Sequence, residues 1–463
     1  MKKLNLHFKI VILISTFLIS SQNIYSQWTI VGPLEGLDGP RPQVSVVDEN
    51  TAIITGGRAI NATYKTTNGG TNWIQFKTSA LGAFWALWSN DGNTIFTGDN
   101  GSRGNSYFYK NINGESIWRI IDSIPEIISP YPPGFRGIRF SNLIPSFGIA
   151  IAEGNNGDIY IYKTRDGGSK WTRTLLPGYP GFFSSAGLNV IDSLFYSFCT
   201  HVGPPSIIIT TDGGVTWNRR NTNLPHNGVN KGRGLAFKNK LIGIAGTSST
   251  PDIARTTDGG LTWVTIDVGN NITQGIGPVM RWIEGTDICY MTVKGSTVGE
   301  IRGVLKSTNG GLNWTAMETE GVGIITIDTK RIGSNISGYA ISYDPSSFGG
   351  NLVLKFTDVI TGINQISEIV PDEYYLSQNY PNPFNPVTNL EFGISLAAGV
   401  LGFVSLKIYD MLGNEVVTLV NANLNPGTYK YNFDASALPS GSYFYRLVIE
   451  GKIIDTKRMV LLK

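Results

Sequence analysis

Along most of this chain, short β-branched or aromatic runs are broken by clusters of Asn, Asp and Gly, the pattern of a strand meander. Residues 44–47 and 51–55 read as two strands around the turn Asp48-Glu49-Asn50, and a third strand follows a loop at 63–65. The same order recurs at 86–97 and at 235–245. Each set of three strands then runs into a turn ending on tryptophan, after which a fourth strand begins. Six such boxes occur: KTTNGGTNW at 65–73, KNINGESIW at 110–118, KTRDGGSKW at 163–171, ITTDGGVTW at 209–217, RTTDGGLTW at 255–263 and KSTNGGLNW at 306–314.

Each box position has a physical reason. The side chain of Asn68, Asp166, Asp212, Asp258 or Asn309 can accept hydrogen bonds from amides ahead of it, and the glycine pair supplies positive φ. The tryptophans Trp73, Trp171, Trp217, Trp263 and Trp314 open the next strand with a large apolar face to bury against a neighbouring unit. Successive box tryptophans lie 45, 53, 46, 46 and 51 residues apart, the period of a β-propeller blade. Trp28 looks like a fourth strand without a box, and residues 351–362 look like a third strand and a decayed box at Asp358 with no fourth strand. Joined, they make a seventh blade and leave no open sheet edge. The expected fold is all-β: a seven-bladed propeller closed by its N-terminal strand.

The boxes resemble the Asp-box, or bacterial neuraminidase repeat, and GGxxW after Thr-Asp or Thr-Asn is similar to repeats of photosystem II assembly-factor-like propellers. That resemblance spans residues 28 to about 365 and implies a structural turn on the outer rim, away from the ligand face.

After a proline-rich joint, PDEYYLSQNYPNPFNP at 371–386, alternation returns in Val404, Leu406 and Ile408, in Tyr429, Tyr431 and Phe433, and in Tyr443, Tyr445 and Leu447. A small immunoglobulin-like β-sandwich is expected. Tyr380-Pro381-Asn382-Pro383, Lys407-Ile408-Tyr409-Asp410 with Gly413, Pro439-Ser440-Gly441 with Tyr443, and Lys457-Arg458-Met459-Val460 are similar to the type IX secretion C-terminal sorting domain. This implies the type IX translocon as a partner and delivery to the outside, or the outer surface, of a Gram-negative bacterium.

The start of the chain agrees with export. Basic residues Lys2, Lys3 and Lys9, the apolar run at 10–19 and a small-residue site at 24–26 read as a signal peptide over residues 1–26. Its removal takes three of the 37 basic residues and leaves them equal in number to the 34 acidic ones, so no basic field argues for nucleic acid. No later apolar stretch is long enough to span a bilayer. The expected domains are thus a leader at 1–26, a propeller at 27–366, a linker at 367–378 and a sorting domain at 379–463, in a monomer.

Candidate chemistry is sparse. Outside the leader the histidines are His201 and His226, which argues against a zinc site or a histidine base, so no metal and no cofactor is expected. Cys199 and Cys289 fall in non-adjacent repeats and read as buried thiols. No Gly-x-Ser-x-Gly, His-Glu-x-x-His or phosphate-binding glycine loop occurs. The Asp-box resemblance raises a sialidase-like glycoside hydrolase, whose mechanism needs three convergent arginines, a tyrosine nucleophile with a glutamate, and an acid carboxylate. Arg41, Arg139, Arg233 and Arg281 sit in or near inner strands, yet that family's Arg-Ile-Pro signature is missing. The favoured expectation is a non-catalytic recognition module for an extracellular protein or glycan. Its candidate surface is the blade-to-blade loop face: Trp85, Tyr131, Phe135, Tyr179, Phe182 and Phe183 as stacking groups, with Arg136, His226 and Arg233 as polar partners.

Overall fold

A computed structural model describes residues 27–463 except 35–36, 38–41, 57–61, 78–83, 100–104, 115–117, 126–133, 155–157, 177–186, 201–203, 226–231, 248–251, 269–275, 294–302, 318, 320–322, 333–334, 344–351, 360–362, 368–369, 396–401, 425 and 436–437. The leader read at 1–26 lies outside the described residues.

Within the described residues, strands from Gln27 to Val359 form seven four-stranded antiparallel sheets. Their inner strands are Gln43–Val46, Phe84–Ser89, Gly134–Phe140, Asn189–Val190, Gly232–Phe237, Ile276–Trp282 and Gly323–Ile332. Each packs beside the next, and the last packs beside the first, so the sheets close into a propeller. Closure uses both ends of the propeller chain. Gln27–Pro33 pairs antiparallel with Leu352–Val359, with Trp28 opposite Phe356 and their rings 4.6 Å apart.

One feature of that closing sheet departs from expectation. Asp358 does not turn the chain; it is still in the strand, opposite Ile336. Its carboxylate accepts hydrogen bonds from Tyr290 Oη and Lys306 Nζ, both at 2.6 Å, and is buried. A box needs a glycine pair after its acidic residue, and the sequence reads Val359-Ile360 after Asp358.

Five boxes share one geometry. In the fourth, Thr210 Oγ1 donates to Asp212 Oδ1 at 2.8 Å and accepts from Gly214 N at 2.8 Å, while Asp212 Oδ1 accepts from Thr216 N at 2.9 Å. The boxes at Asn68, Asp166, Asp258 and Asn309 repeat these three bonds. Bonds to Thr216 and Thr262 hold the carboxyls of Asp212 and Asp258 at a pKa of about 2. The glycines are also close approaches: a Cβ on Gly168, at φ 85°, would lie 2.2 Å from Phe96 of the preceding sheet. Trp171 sits there too, 5.7 Å from Phe96 and 5.0 Å from Phe108. The tryptophan is therefore a wedge between sheets.

The leading cation of a box reaches the next sheet, a bond that box spacing alone did not suggest. Lys110 Nζ donates to Gly168 O at 3.3 Å, Lys163 Nζ to Gly213 O at 2.6 Å and Arg255 Nε to Gly310 O at 2.7 Å. The fourth box begins with Ile209, and Arg220 from the following strand takes over, donating to Gly259 O at 2.7 Å. Burial lowers the pKa of Lys163 and of Arg255.

Residues Ile363–Leu461 form two further four-stranded sheets around their own core. One orders Ile363–Ser367, Gly427–Asp434, Val387–Ile394 and Tyr375–Leu376; the other orders Glu415–Leu424, Gly402–Tyr409, Gly441–Ile449 and Lys452–Leu461. The alternating Val404, Leu406, Ile408, Tyr445 and Leu447 are fully buried, as a two-sheet core requires. Ile363–Ser367 lies mostly within the stretch expected to end the propeller, yet it pairs into the sandwich. Cys199 and Cys289 are separate buried thiols.

Candidate functional site

Box turns and the turns between first and second strands share one face, because each hydrogen-bonds the other: Gly69 N to Asn50 O, Gly213 N to Leu194 O, Gly310 N to Asp287 O. A cavity of about 380 Å³ opens at the channel on this box side. Its walls come from the ends of inner strands and the turns after them, including Trp88, Arg139, Asn189, Lys238, Trp282, Glu284, Asp328 and Lys330. The sequence directed attention to the opposite face and named only Arg139 and Arg281 of this wall, as candidates for an arginine cluster. Its signal is a cation or tryptophan at the end of an inner strand, a position that recurs once per sheet but keeps no fixed residue type.

Three guanidiniums line the cavity: Arg139, Arg281 and Arg331. Two are engaged by the protein itself. Arg281 Nε binds Asp328 Oδ1 at 2.8 Å, and Asp328 Oδ2 also accepts from Val46 N at 2.9 Å, which ties three inner strands together. Arg331 donates to Glu284 O at 3.0 Å. Lys238 pairs with Asp287, and Lys240 with Asp192 at 2.6 Å. Arg139 lies over the Trp88 ring at 5.2 Å, and neither it nor Lys330 has an ion-pair partner among the described residues. No tyrosine is among the described lining residues. Of the other two arginines considered for a catalytic cluster, Arg41 lies outside the described residues and so does the side chain of Arg233.

On the loop face, Tyr131, Tyr179, Phe182, Phe183 and His226 lie outside the described residues. Phe135 is fully buried, its ring 5.0 Å from Phe108 and 5.2 Å from Tyr162. It belongs to the core between sheets, because the inner strand begins at Gly134, inside the stretch read as loop. Arg136 is also buried: its Nε lies 2.7 Å and its second nitrogen 2.5 Å from Glu153 Oε2, and its guanidinium stacks 4.2 Å from half-buried Trp85. This is a desolvated ion pair capped by an aromatic ring. Among the described residues no group of three His, Cys, Asp or Glu side chains could hold a metal ion.

In the sandwich the Tyr380-to-Pro383 motif clamps the last strand. Both of its Xaa-Pro bonds are cis. Asn382 Oδ1 accepts from Val460 N at 2.9 Å, and Phe384 N donates to Val460 O at 3.0 Å. Tyr380 stands 79% exposed at its edge, available to a partner. Sequence reading missed Asn379, which is buried: its N donates to Tyr445 Oη at 2.7 Å, and its Nδ2 to Pro381 O and Thr388 Oγ1 at 3.0 Å. Gly413 takes φ 84° in the turn capped by Asp410, Tyr443 Oη donates to Pro439 O at 2.8 Å, Gly441 opens a strand, and Lys457 pairs with Asp455 at 3.0 Å.

A family model described as the secretion system C-terminal sorting domain matches residues 378–461. No curated protein matches the chain. Among solved structures, YCF48 bound to D1 peptide is similar at 15% identity and a TM-score of 0.50, covering 72% of this chain and 96% of that one. The RRP9 WD40 repeats are similar at 9% identity and a TM-score of 0.50, covering 71% and 96%. At such identities the likeness is one of fold. A sorting domain of this kind implies recognition by the type IX secretion system and export to the cell surface or beyond it. The chain joins a β-propeller to a type IX C-terminal sorting domain.

Proposed function

We propose that residues 27–359 act outside the cell as a non-catalytic recognition or scaffold module for a protein or glycan, carried there by a leader at 1–26 and the sorting domain. The observation that carries this reading is the state of the arginines. In the cavity, Arg281 is already neutralised by Asp328, Arg331 is held by a backbone carbonyl, and no tyrosine with a glutamate partner lines the described wall. A retaining hydrolase needs a nucleophile and an acid facing one substrate position, whereas a binding site needs only shape and unmatched polarity. Glu153 holds Arg136, whose guanidinium stacks on Trp85, and this buried group supports the loops that touch the same partner.

Three guanidiniums around one cavity are the specific observation in favour of the second reading, a sialidase-like glycoside hydrolase. One experiment separates the two. The secreted protein is screened against glycans and outer-surface proteins, and in parallel incubated with a sialoside. Saturable capture without turnover is expected; turnover that disappears in Arg281→Met would establish the hydrolase.

A further inference from the structure

Polar groups in the cavity wall divide into two kinds. Most are matched: Arg281 with Asp328, Lys238 with Asp287, Lys240 with Asp192, Arg331 with a carbonyl. Glu284 and Asn142 stand exposed at the rim, and the enclosed or half-buried remainder are cations and groups able to donate. Asn189 accepts from Phe237 N through Oδ1 at 3.1 Å, which fixes its amide and leaves Nδ2 enclosed without a partner. Thr329 Oγ1 and Trp88 Nε1 are likewise enclosed and unpartnered. Arg139 and Lys330 are half-buried cations with no counter-ion among the described residues. These five residues come from four sheets and line one cavity.

Enclosed donors without acceptors are uncommon in folded proteins, and each calls for a reason. Orphaned tryptophan N–H groups recur elsewhere in this molecule, at Trp28, Trp118 and Trp171, so Trp88 alone says little. The conjunction with Asn189, Thr329 and two unmatched cations says more. An occupant able to satisfy them must supply acceptors and negative charge. The cavity, about 380 Å³, lies at the small end of the range of ligand sites, roughly 300–1,000 Å³. Phe140, Leu143, Leu188 and Val190 give the rest of the wall an apolar surface suited to a carbon skeleton.

We propose that the box-side mouth of the channel binds a small organic oxyanion of about monosaccharide size, with Arg139 as the charge partner and Asn189 and Thr329 as donors. The site rests on the reading of the propeller as a recognition module and names the ligand class it takes. It is built from the Arg139 guanidinium, the Lys330 ammonium and neutral donors.

Calorimetric titration of the full chain tests it, with galacturonate and glucose 6-phosphate as probes and methyl galactoside as the neutral control. Both anions, or one of them, are expected to bind with an affinity that falls as salt rises, and the neutral sugar at least about tenfold more weakly. A preference between the anions assigns carboxylate or phosphate. Arg139→Met should cost about tenfold or more, Arg139→Lys less, and Asn189→Leu should weaken binding without changing its salt dependence. Lys407→Met in the sandwich, with equal melting behaviour, should leave affinity unchanged. Binding of neither anion, equal binding of the neutral sugar, or unchanged affinity in Arg139→Met would overturn the proposal. If the anions fail while the glycan and protein screen captures a partner, this site is wrong and the recognition module stands.

Discussion

The propeller and the sandwich place their polar side chains on opposite principles. In the propeller the same three hydrogen bonds close five box turns, and a box-leading cation or its stand-in stitches four of these sheets to the next. No single copy is special, and losing one should be local. In the sandwich there is one Asn379 and one Tyr445: Asn379 bonds Tyr445 and Thr388, which lie in strands of the two different sheets, and Tyr445 Oη also donates to Ser377 O. Polar groups that repeat hold a scaffold, whereas those occurring once set a specific arrangement. Arg139, Asn189 and the Arg136–Glu153 pair are the propeller's own unrepeated groups.

The contrast is sharpest at the unrepeated buried pair. Arg136→Met should destabilise the propeller by about 3–5 kcal/mol, because it leaves Glu153 charged and enclosed, and Glu153→Leu in the same chain should recover most of that loss. Chemical unfolding of the single and double variants gives the numbers; a single variant within about 1 kcal/mol of the parent would refute the account of this pair. Asp358→Ala strands Lys306 and Tyr290 at the closing sheet and should cost about 3 kcal/mol, read in the same way. Asn379→Ala should lower the sandwich's unfolding transition by about 2 kcal/mol and leave the propeller's unchanged. A shift of both transitions would mean that the two regions unfold as one.

A repeated group should matter least. Thr210→Val removes the acceptor for Gly214 N and should cost about 1 kcal/mol, since six other sheets are untouched. The box carboxylates add a pH signature. Asp212 and Asp258 titrate at about 2 in the fold, below the ordinary 3.8, so their stabilisation is complete above pH 4 and fades as pH falls towards 2. Melting curves across that window should flatten for Asp212→Asn, in which the titrating group is gone. An unchanged acid profile would assign the loss to other carboxylates.

Much of the scaffold was readable from residue order because the box repeats every 45 to 53 residues and Trp28 opens an unpaired strand for which Leu352–Val359 is the partner. The closing sheet followed from that pairing, and the sandwich core from simple alternation. Reading failed where neighbours in space are not neighbours in sequence. Asp358 looked like a worn turn and is a buried counter-ion for Lys306, 52 residues away. Phe135 looked like a loop aromatic, yet the strand starts one residue earlier and turns it inward. Of the cavity donors only Arg139 was singled out, for the same reason: Trp88, Arg139, Asn189 and Thr329 belong to four sheets, and no motif links them.

The central claim is a division of labour, with the address in the sandwich and recognition in the propeller. Surface labelling of cells that possess a type IX translocon, expressing either the full chain or a chain ending at residue 359, tests it directly. The account predicts that the full chain reaches the outer surface and the shortened one accumulates in the periplasm. Equal surface exposure of both would contradict it.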